Sequence, residues 1–224
     1  MQSKALKVTV ATALLAAIAF ILIFIRTPIP FMPPFMDFDL CGVPEVIGTF
    51  ALGPVAGSLI AIIKIVLKSI TQGSMSMGTG ELCNAILSLS YILSTYIVWY
   101  GLKRKWTNKP GLSMQGGSAN AARENIKAET KAAAIGMVVG TLFVTVIACV
   151  LNVYIIFPFY AKAYGMDFSA IIAMITAANP YVKSTFGAVL LGIAPFNIIK
   201  YGITSIVVGI IYSRTIPIMK RLIK

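Results

Sequence analysis

Long apolar stretches constrain this chain most, because several of them are long enough to cross a lipid bilayer as a helix. About 20 apolar residues are needed to span the hydrocarbon core. Of the 224 residues, 58% are hydrophobic and only 12% are charged, whereas soluble domains carry about 25% charged residues. A water-soluble fold would leave much of this apolar surface exposed, so the sequence predicts an all-α integral membrane protein.

Loops and helix breakers divide the chain into six predicted transmembrane helices, which form one domain over residues 1–224. The second helix is short, and Gly53-Pro54 separate it from the third. Short spans interrupted by Gly and Pro are typical of binding sites in transporters. The predicted spans are approximately residues 8–25, 44–52, 55–70, 81–100, 132–157 and 186–212, with residues 158–185 expected to form a second outer loop.

Basic residues cluster before the first span, in the loop 101–131 and at the C-terminus. Such an excess of Lys and Arg marks the cytoplasmic side of a membrane protein. We therefore expect both termini and this loop to lie on the cytoplasmic face of the cell membrane. Topology and contact with anionic lipid account for the net charge of +12, in preference to nucleic-acid binding.

Several kinds of chemistry are disfavoured. The chain has no histidine, and Cys41, Cys83 and Cys149 are widely separated, so neither a zinc site nor a Cys-His catalytic pair is expected. No glycine-rich loop precedes a basic residue as in a P-loop, so the chain does not itself use ATP.

A membrane enzyme would use Glu81 or Asp39 as acid or base, but such sites usually show paired titratable groups. A self-sufficient permease or channel would need coupling-ion carboxylates deep in the bundle, and none is evident. We expect no enzymatic activity, metal or cofactor.

The segment between the first two spans, RTPIPFMPPFMDFDLCGV (26–43), contains four prolines and is not a simple helix. It is nevertheless apolar and aromatic. We interpret it as an ordered outer loop over a cavity, in preference to a segment that grazes the lipid headgroups.

Polar side chains recur toward the outer halves of three predicted spans. Polar groups in hydrocarbon are costly, so each needs a partner. Residues three apart on a helix share a face. An amide-lined pocket open to the outside, suited to a neutral, flat heterocycle, is the favoured explanation, and an internal hydrogen-bond network is the alternative. The residues are Glu81 and Asn84 in the fourth span, Asn152 in the fifth, and Asn197 and Lys200 in the sixth.

Two further features have more than one interpretation. Lys64 lies in the middle of the third span, where it either snorkels or pairs with an internal carboxylate near the site. Ala13 and Ala17 form a small-xxx-small pattern that lets another helix approach closely. That helix belongs either to this chain or to a partner subunit.

Four stretches of the sequence resemble the substrate-binding S component of energy-coupling factor (ECF) vitamin transporters, and most of all the riboflavin-specific type. They occur in the order of that family and, with the first span, cover most of the chain. The stretches are PPFMDFDLCGVPEVIGTFALGPVAG, IKIVLKSITQGSM, LNVYIIFPFY and GIAPFNIIKYG.

The resemblance implies a six-helix S-component fold that binds riboflavin, its transported substrate, with high affinity near the outer face. Another heterocyclic vitamin is the alternative cargo. The PFNxxK motif would supply Asn197 and Lys200 to the isoalloxazine ring, together with Asn152 from the LN of the fifth span. The remaining contacts would be Glu81 and Asn84 toward the ribityl hydroxyls, and Met36, Phe38 and Asp39 in the loop that closes over the ring. The chain reads Asp39-Leu40-Cys41-Gly42 where the riboflavin binders tend to read DFSD.

The resemblance also implies partners. A transmembrane coupling subunit and two cytoplasmic ATPase subunits would drive vitamin uptake across the membrane, and the face that carries Ala13 and Ala17 would dock onto them. The S component of this family is thought to reorient bodily in the membrane.

Overall fold

The computed structural model describes residues 3–29, 37–73, 78–107, 119–163, 165, 167–179, 181–182 and 184–223, and most of these are helical. A short antiparallel ladder, β1 with β2, pairs Thr27 with Phe38 and Pro28 with Asp37. The elements in chain order are α1 (Lys4–Leu22), β1 (Thr27–Pro28), β2 (Asp37–Phe38), α2 (Gly42–Leu52), α3 (Pro54–Gln72), α4 (Thr79–Thr107), α5 (Ala119–Leu151), the π-helical turn π1 (Asn152–Ile156), α6 (Phe157–Ala163), α7 (Phe168–Ala178), α8 (Thr185–Ala188), the π-helical turn π2 (Val189–Ile193) and α9 (Ala194–Ile223).

Five helices in the described ranges are long and apolar enough to cross a membrane, and the sixth, α2, is a shorter apolar helix. The predicted all-α membrane fold is therefore confirmed. The C-terminal crossing runs without interruption through α8, π2 and α9. The fifth crossing likewise continues from α5 through π1 into α6.

The helices extend further than hydropathy alone predicted. Helix α4 continues to Thr107 and α5 begins at Ala119, so part of the loop expected at 101–131 is helical. Ala, Lys, Arg and Glu dominate these extensions and are good helix formers. The expectation of a second outer loop at 158–185 was also wrong in part, because α6 completes the fifth crossing and α7 forms within that stretch.

The short helix α2 lies inside the bundle, in contact with α1, α3, α4 and α9. Its residues from Val43 to Phe50 are all buried. Gly53, at a φ of 107°, ends it, and Pro54 begins α3. A left-handed backbone of this kind favours glycine. Because neighbouring helices shield α2 from lipid, it does not have to span the hydrocarbon core by itself.

Close packing of α4 against α5 depends on glycines. A Cβ at Gly136 would lie 2.7 Å from the backbone oxygen of Thr95, and a Cβ at Gly140 would overlap the Thr95 side chain. These two glycines face α4 one turn apart, so the backbones approach closely, as small residues allow in membrane helices. The contact fixes α5, and with it the position of Asn152 at the helix end.

Candidate functional site

A recess of about 830 Å³ opens at one end of the bundle, which we call the recess end. A smaller inner compartment of about 480 Å³ adjoins it and shares several of its walls. Of the predicted residues, Asp39, Asn84, Asn152, Asn197 and Lys200 line the recess. Glu81 lines the inner compartment together with Asn84 and Lys200. The three helices thus bring their polar groups to one space.

Asn152 and Asn197 lie on different helices and use the same local geometry. Each is buried, and each donates one amide N–H to the carbonyl oxygen four residues earlier, at Ala148 and Ile193 respectively, over 2.8 Å. This bond fixes the side chain against its own helix. It leaves the amide oxygen and a second N–H available on each residue, and both residues line the recess.

A π-helical turn accompanies each of these asparagines. Turn π1 begins at Asn152, and π2 ends at Ile193, whose carbonyl accepts the Asn197 bond. A π turn inserts one extra residue into the helix, rotates the residues beyond it, and is frequently found at functional sites. The two π turns contact each other. They set the register in which the two amides reach the recess.

Lys200 connects the C-terminal helix to residues 26–43 between α1 and α2, the segment that we call the first outer segment because the sequence predicts it as an outer loop. Its Nζ lies 2.9 Å from Oδ2 of Asp39, and the Cys41 backbone N–H donates to Oδ1 of the same carboxylate over 3.0 Å. Burial alone would raise the pKa of Asp39, but the Lys200 and Lys64 ammonium groups hold that pKa well below its usual value. Asp39 is therefore ionised at neutral pH.

The first outer segment was predicted to contribute Met36 and Phe38 as well. Phe38 is half-buried in β2 and does not belong to the described residues that line the recess. Met36 lies outside the described residues, as do Phe31 and Phe35. The β1–β2 ladder holds the two ends of this segment together beside the recess, where Asp37 and Asp39 are lining residues.

Sequence reasoning missed several charged residues of this end. Arg26 and Lys68 line the recess, and each has an acidic partner: Arg26 with Asp37 at 3.8 Å and Lys68 with Glu81 at 3.5 Å. Residues 26–100 contain three basic and four acidic side chains, and this near balance was the only signal of ion pairing in the sequence; it does not show which groups pair. Four ion pairs lie in or beneath the recess, and we call them the recess-end ion pairs: Arg26–Asp37, Lys68–Glu81, Lys200–Asp39 and Lys64–Glu45.

Lys64 pairs with an internal carboxylate, as one of its two interpretations predicted. Its ammonium group forms an ion pair with Glu45 of α2 and lies 3.0 Å from the Cys41 sulfur. The side chains of Lys64 and Glu45 are only 4% and 2% exposed. The snorkelling interpretation was therefore wrong, and the pair joins α2 to α3 beneath the recess.

The small residues of α1 divide between two faces. Ala16 and Ala19 pack with Ile60 of α3 inside the bundle. Ala13 and Ala17 are exposed on the other side of the helix. Packing within this chain therefore does not explain the Ala13–Ala17 pattern.

Comparisons with known proteins agree with this architecture. A family model described as ECF transporter, substrate-specific component, matches residues 7–212. The riboflavin transporter RibU of Staphylococcus aureus (strain TCH60) is 29% identical over 214 residues, covering 95% of this chain and 92% of the relative. The riboflavin transporter FmnP of Bacillus subtilis (strain 168) is 28% identical over 212 residues, covering 94% and 93%.

A solved S component of a bacterial ECF transporter has the same fold. It superimposes with a TM-score of 0.64 at 28% identity and covers 96% of this chain and 98% of its own. The family match extends over nearly the whole chain, from α1 to the last turns of α9. The chain is thus a multi-pass membrane protein that belongs to the family of ECF transporter substrate-specific components.

Proposed function

We propose that this chain is the high-affinity riboflavin-binding S component of an ECF transporter, and that the recess holds the vitamin. The observation that carries the proposal is the meeting of Asn152, Asn197 and Lys200 in one recess. The names of its relatives, which are riboflavin transporters, support the choice of vitamin.

The chemistry of the recess matches the polar edge of the isoalloxazine ring, where carbonyl oxygens alternate with ring nitrogens and an N–H. An amide offers both a donor and an acceptor, and an ammonium group offers donors only. Asn152 and Asn197 therefore suit the mixed edge, and Lys200 suits a carbonyl oxygen. Glu81 and Asn84, near the inner compartment, suit the ribityl hydroxyls.

The first outer segment would cover the ring. Asp39 is fixed at the recess by Lys200, and residues 30–36 connect the two paired strands. In our proposal Met36 and Phe38 approach the bound ring when this segment closes. Apolar and aromatic side chains are the usual walls of a site for a flat heterocycle.

The experiment is to purify the protein from cells and examine its colour and its effect on riboflavin fluorescence. A bound flavin should give a yellow preparation, and the apoprotein should quench added riboflavin. Replacing Asn197 or Lys200 by alanine should weaken binding by about 1–3 kcal/mol each, the cost of an unmet polar partner. Lys127→Ala is the matched control, because Lys127 is exposed and pairs only with Glu124 in the described chain. A colourless protein that does not quench riboflavin would reject the flavin assignment.

We further infer the arrangement in the membrane and the partners. The basic ends of the helices support a cytoplasmic location of both termini in the cytoplasmic membrane. A transmembrane coupling subunit and two ATPase subunits would form the ECF module that drives uptake. The exposed face of α1 with Ala13 and Ala17 would be the surface where the coupling subunit docks, because small residues let helices approach closely.

A further inference from the structure

A second cavity, of about 400 Å³, lies at the end of the bundle opposite the recess. We call this end the basic end, because Lys103, Lys220 and Arg221 lie there, near the ends of α4 and α9. The basic-end cavity lies between the N-terminal part of α5 and the C-terminal part of α9. Its walls are Asn125, Ile126, Glu129, Tyr212, Ile216, Pro217 and Lys220, and none of these lines the recess.

Buried polar atoms around this cavity are poorly hydrogen-bonded by the described residues. Tyr212 is only 2% exposed. Its hydroxyl lies beside the Trp99 indole N–H, but the geometry is too poor for a full hydrogen bond, so neither atom has a well-placed partner in the described chain. The buried amide oxygen of Asn125 is also unpaired within the described ranges. It only accepts hydrogen bonds, so a hydroxyl of the headgroup or a water molecule, and not the anion itself, would donate to it. Because an unmet buried polar group costs about 1–3 kcal/mol, this arrangement favours a ligand that supplies hydrogen bonds inside the cavity.

The charge next to the cavity is positive. Glu129 lies between two ammonium groups, at 2.9 Å from Lys103 and 3.1 Å from Lys220. Both lysines also lie over the Trp99 ring, at 4.9 and 5.4 Å from its centre. One carboxylate between two cations leaves an excess positive charge at a half-buried place. Water would satisfy the polar atoms but would leave that charge unbalanced, so an anion suits the cavity better.

The surroundings of the cavity indicate that the anion belongs to a lipid. Ile218 and Leu222 are 56% and 68% exposed on the same turns of α9, where acyl chains would run. Basic pockets between transmembrane helices are known to hold anionic lipid headgroups. We propose that the basic-end cavity binds the phosphate headgroup of an anionic phospholipid, which Lys220 and the Tyr212 hydroxyl hold. This proposal is independent of the riboflavin proposal.

The test uses the full chain in lipid nanodiscs. One preparation contains phosphatidylcholine alone, and a second also contains phosphatidylglycerol. A third receives inorganic phosphate with phosphatidylcholine. Thermal unfolding and the lipids retained in native mass spectrometry are measured for the wild type, Lys220→Gln, Tyr212→Phe and Lys127→Gln. Lys127 is the matched control, because it is an exposed lysine on α5 that pairs with Glu124.

Phosphatidylglycerol should raise the Tm of the wild type and remain bound as one molecule. Lys220→Gln should weaken that binding about tenfold or more, the usual loss for a hydrogen bond to a charged group. Tyr212→Phe should also lose bound lipid, yet it should lower the Tm in phosphatidylcholine only slightly, because the contact of the hydroxyl with the Trp99 indole has poor hydrogen-bond geometry. Lys127→Gln should keep the full effect.

Three outcomes would overturn the proposal. An equal effect of phosphatidylglycerol on all four proteins would mean a general attraction between charges. An equal rise in Tm with inorganic phosphate alone would assign the cavity to a free anion. A wild-type protein that retains no phosphatidylglycerol would show that the cavity does not bind this lipid.

Discussion

Replacing Lys64 by methionine should strongly destabilise the protein, because it leaves Glu45 without its partner inside the membrane domain. The two side chains are 4% and 2% exposed, and they join α3 to α2. Removing one member of a buried ion pair typically costs about 3–5 kcal/mol of the free energy of unfolding. Methionine keeps the length of the lysine stem and adapts well to core packing, so the lost charge is the main change. For a chain of this size, roughly 2–4 °C of Tm is lost per kcal/mol.

The assay is thermal unfolding in detergent, monitored by intrinsic fluorescence, for the two single variants and the double variant. We expect Lys64→Met to lower the Tm by roughly 6–20 °C. Adding Glu45→Met should restore most of the loss, because replacing a whole buried ion pair by apolar residues of similar size is often nearly neutral. Lys127→Met is the control, since exposed ion pairs contribute at most about 1 kcal/mol. A Lys64→Met protein as stable as the wild type, or a double variant that shows simple additivity, would refute the reasoning.

Two other predictions concern helix packing. Gly136→Val should lower the free energy of unfolding by about 1–3 kcal/mol because its side chain would collide with a backbone carbonyl of α4. Gly101→Ala, in open space on α4, should instead raise it by about 0.5–1 kcal/mol; equal Tm values for the two variants would contradict this. Leucine at both Ala13 and Ala17 should abolish co-purification with the ECF module while leaving riboflavin affinity unchanged. Ala134→Leu, on an exposed face of α5, should co-purify normally. If this control also lost the complex, the loss in the α1 variant would not identify α1 as the docking surface.

The sequence predicts the helices and the meeting of the polar residues for one physical reason. A polar group in hydrocarbon is expensive, so its position along a span is informative. Asn152, Asn197 and Lys200 could therefore be assigned to one space from their positions along the spans alone. Because the family is one of transport components that work with an ECF module, the alternatives of a membrane enzyme and of a self-sufficient permease are excluded.

Other features depend on information that composition does not carry. A π turn needs one extra residue in a helix, and the sequence of π1 or π2 is as apolar as any other stretch of its crossing. Helix α7 is short and lies between two crossings, so its apolar residues did not form a span-length signal. The partner of Lys68 is on the next helix, and the partner of Arg26 is across the β1–β2 ladder, so only the three-dimensional arrangement identifies these pairs.

The charges within each of the four recess-end ion pairs cancel, and residues 30–36 and 74–77 carry no ionisable side chains. Moving one elementary charge through a membrane potential of 100 mV involves about 2.3 kcal/mol. These paired groups, with an uncharged vitamin beside them, would therefore do almost no electrical work if they moved across the membrane together. For the carrier proposed above, the membrane voltage acting on these paired groups would be a negligible source of energy, and the proposed ATPase subunits would have to supply it.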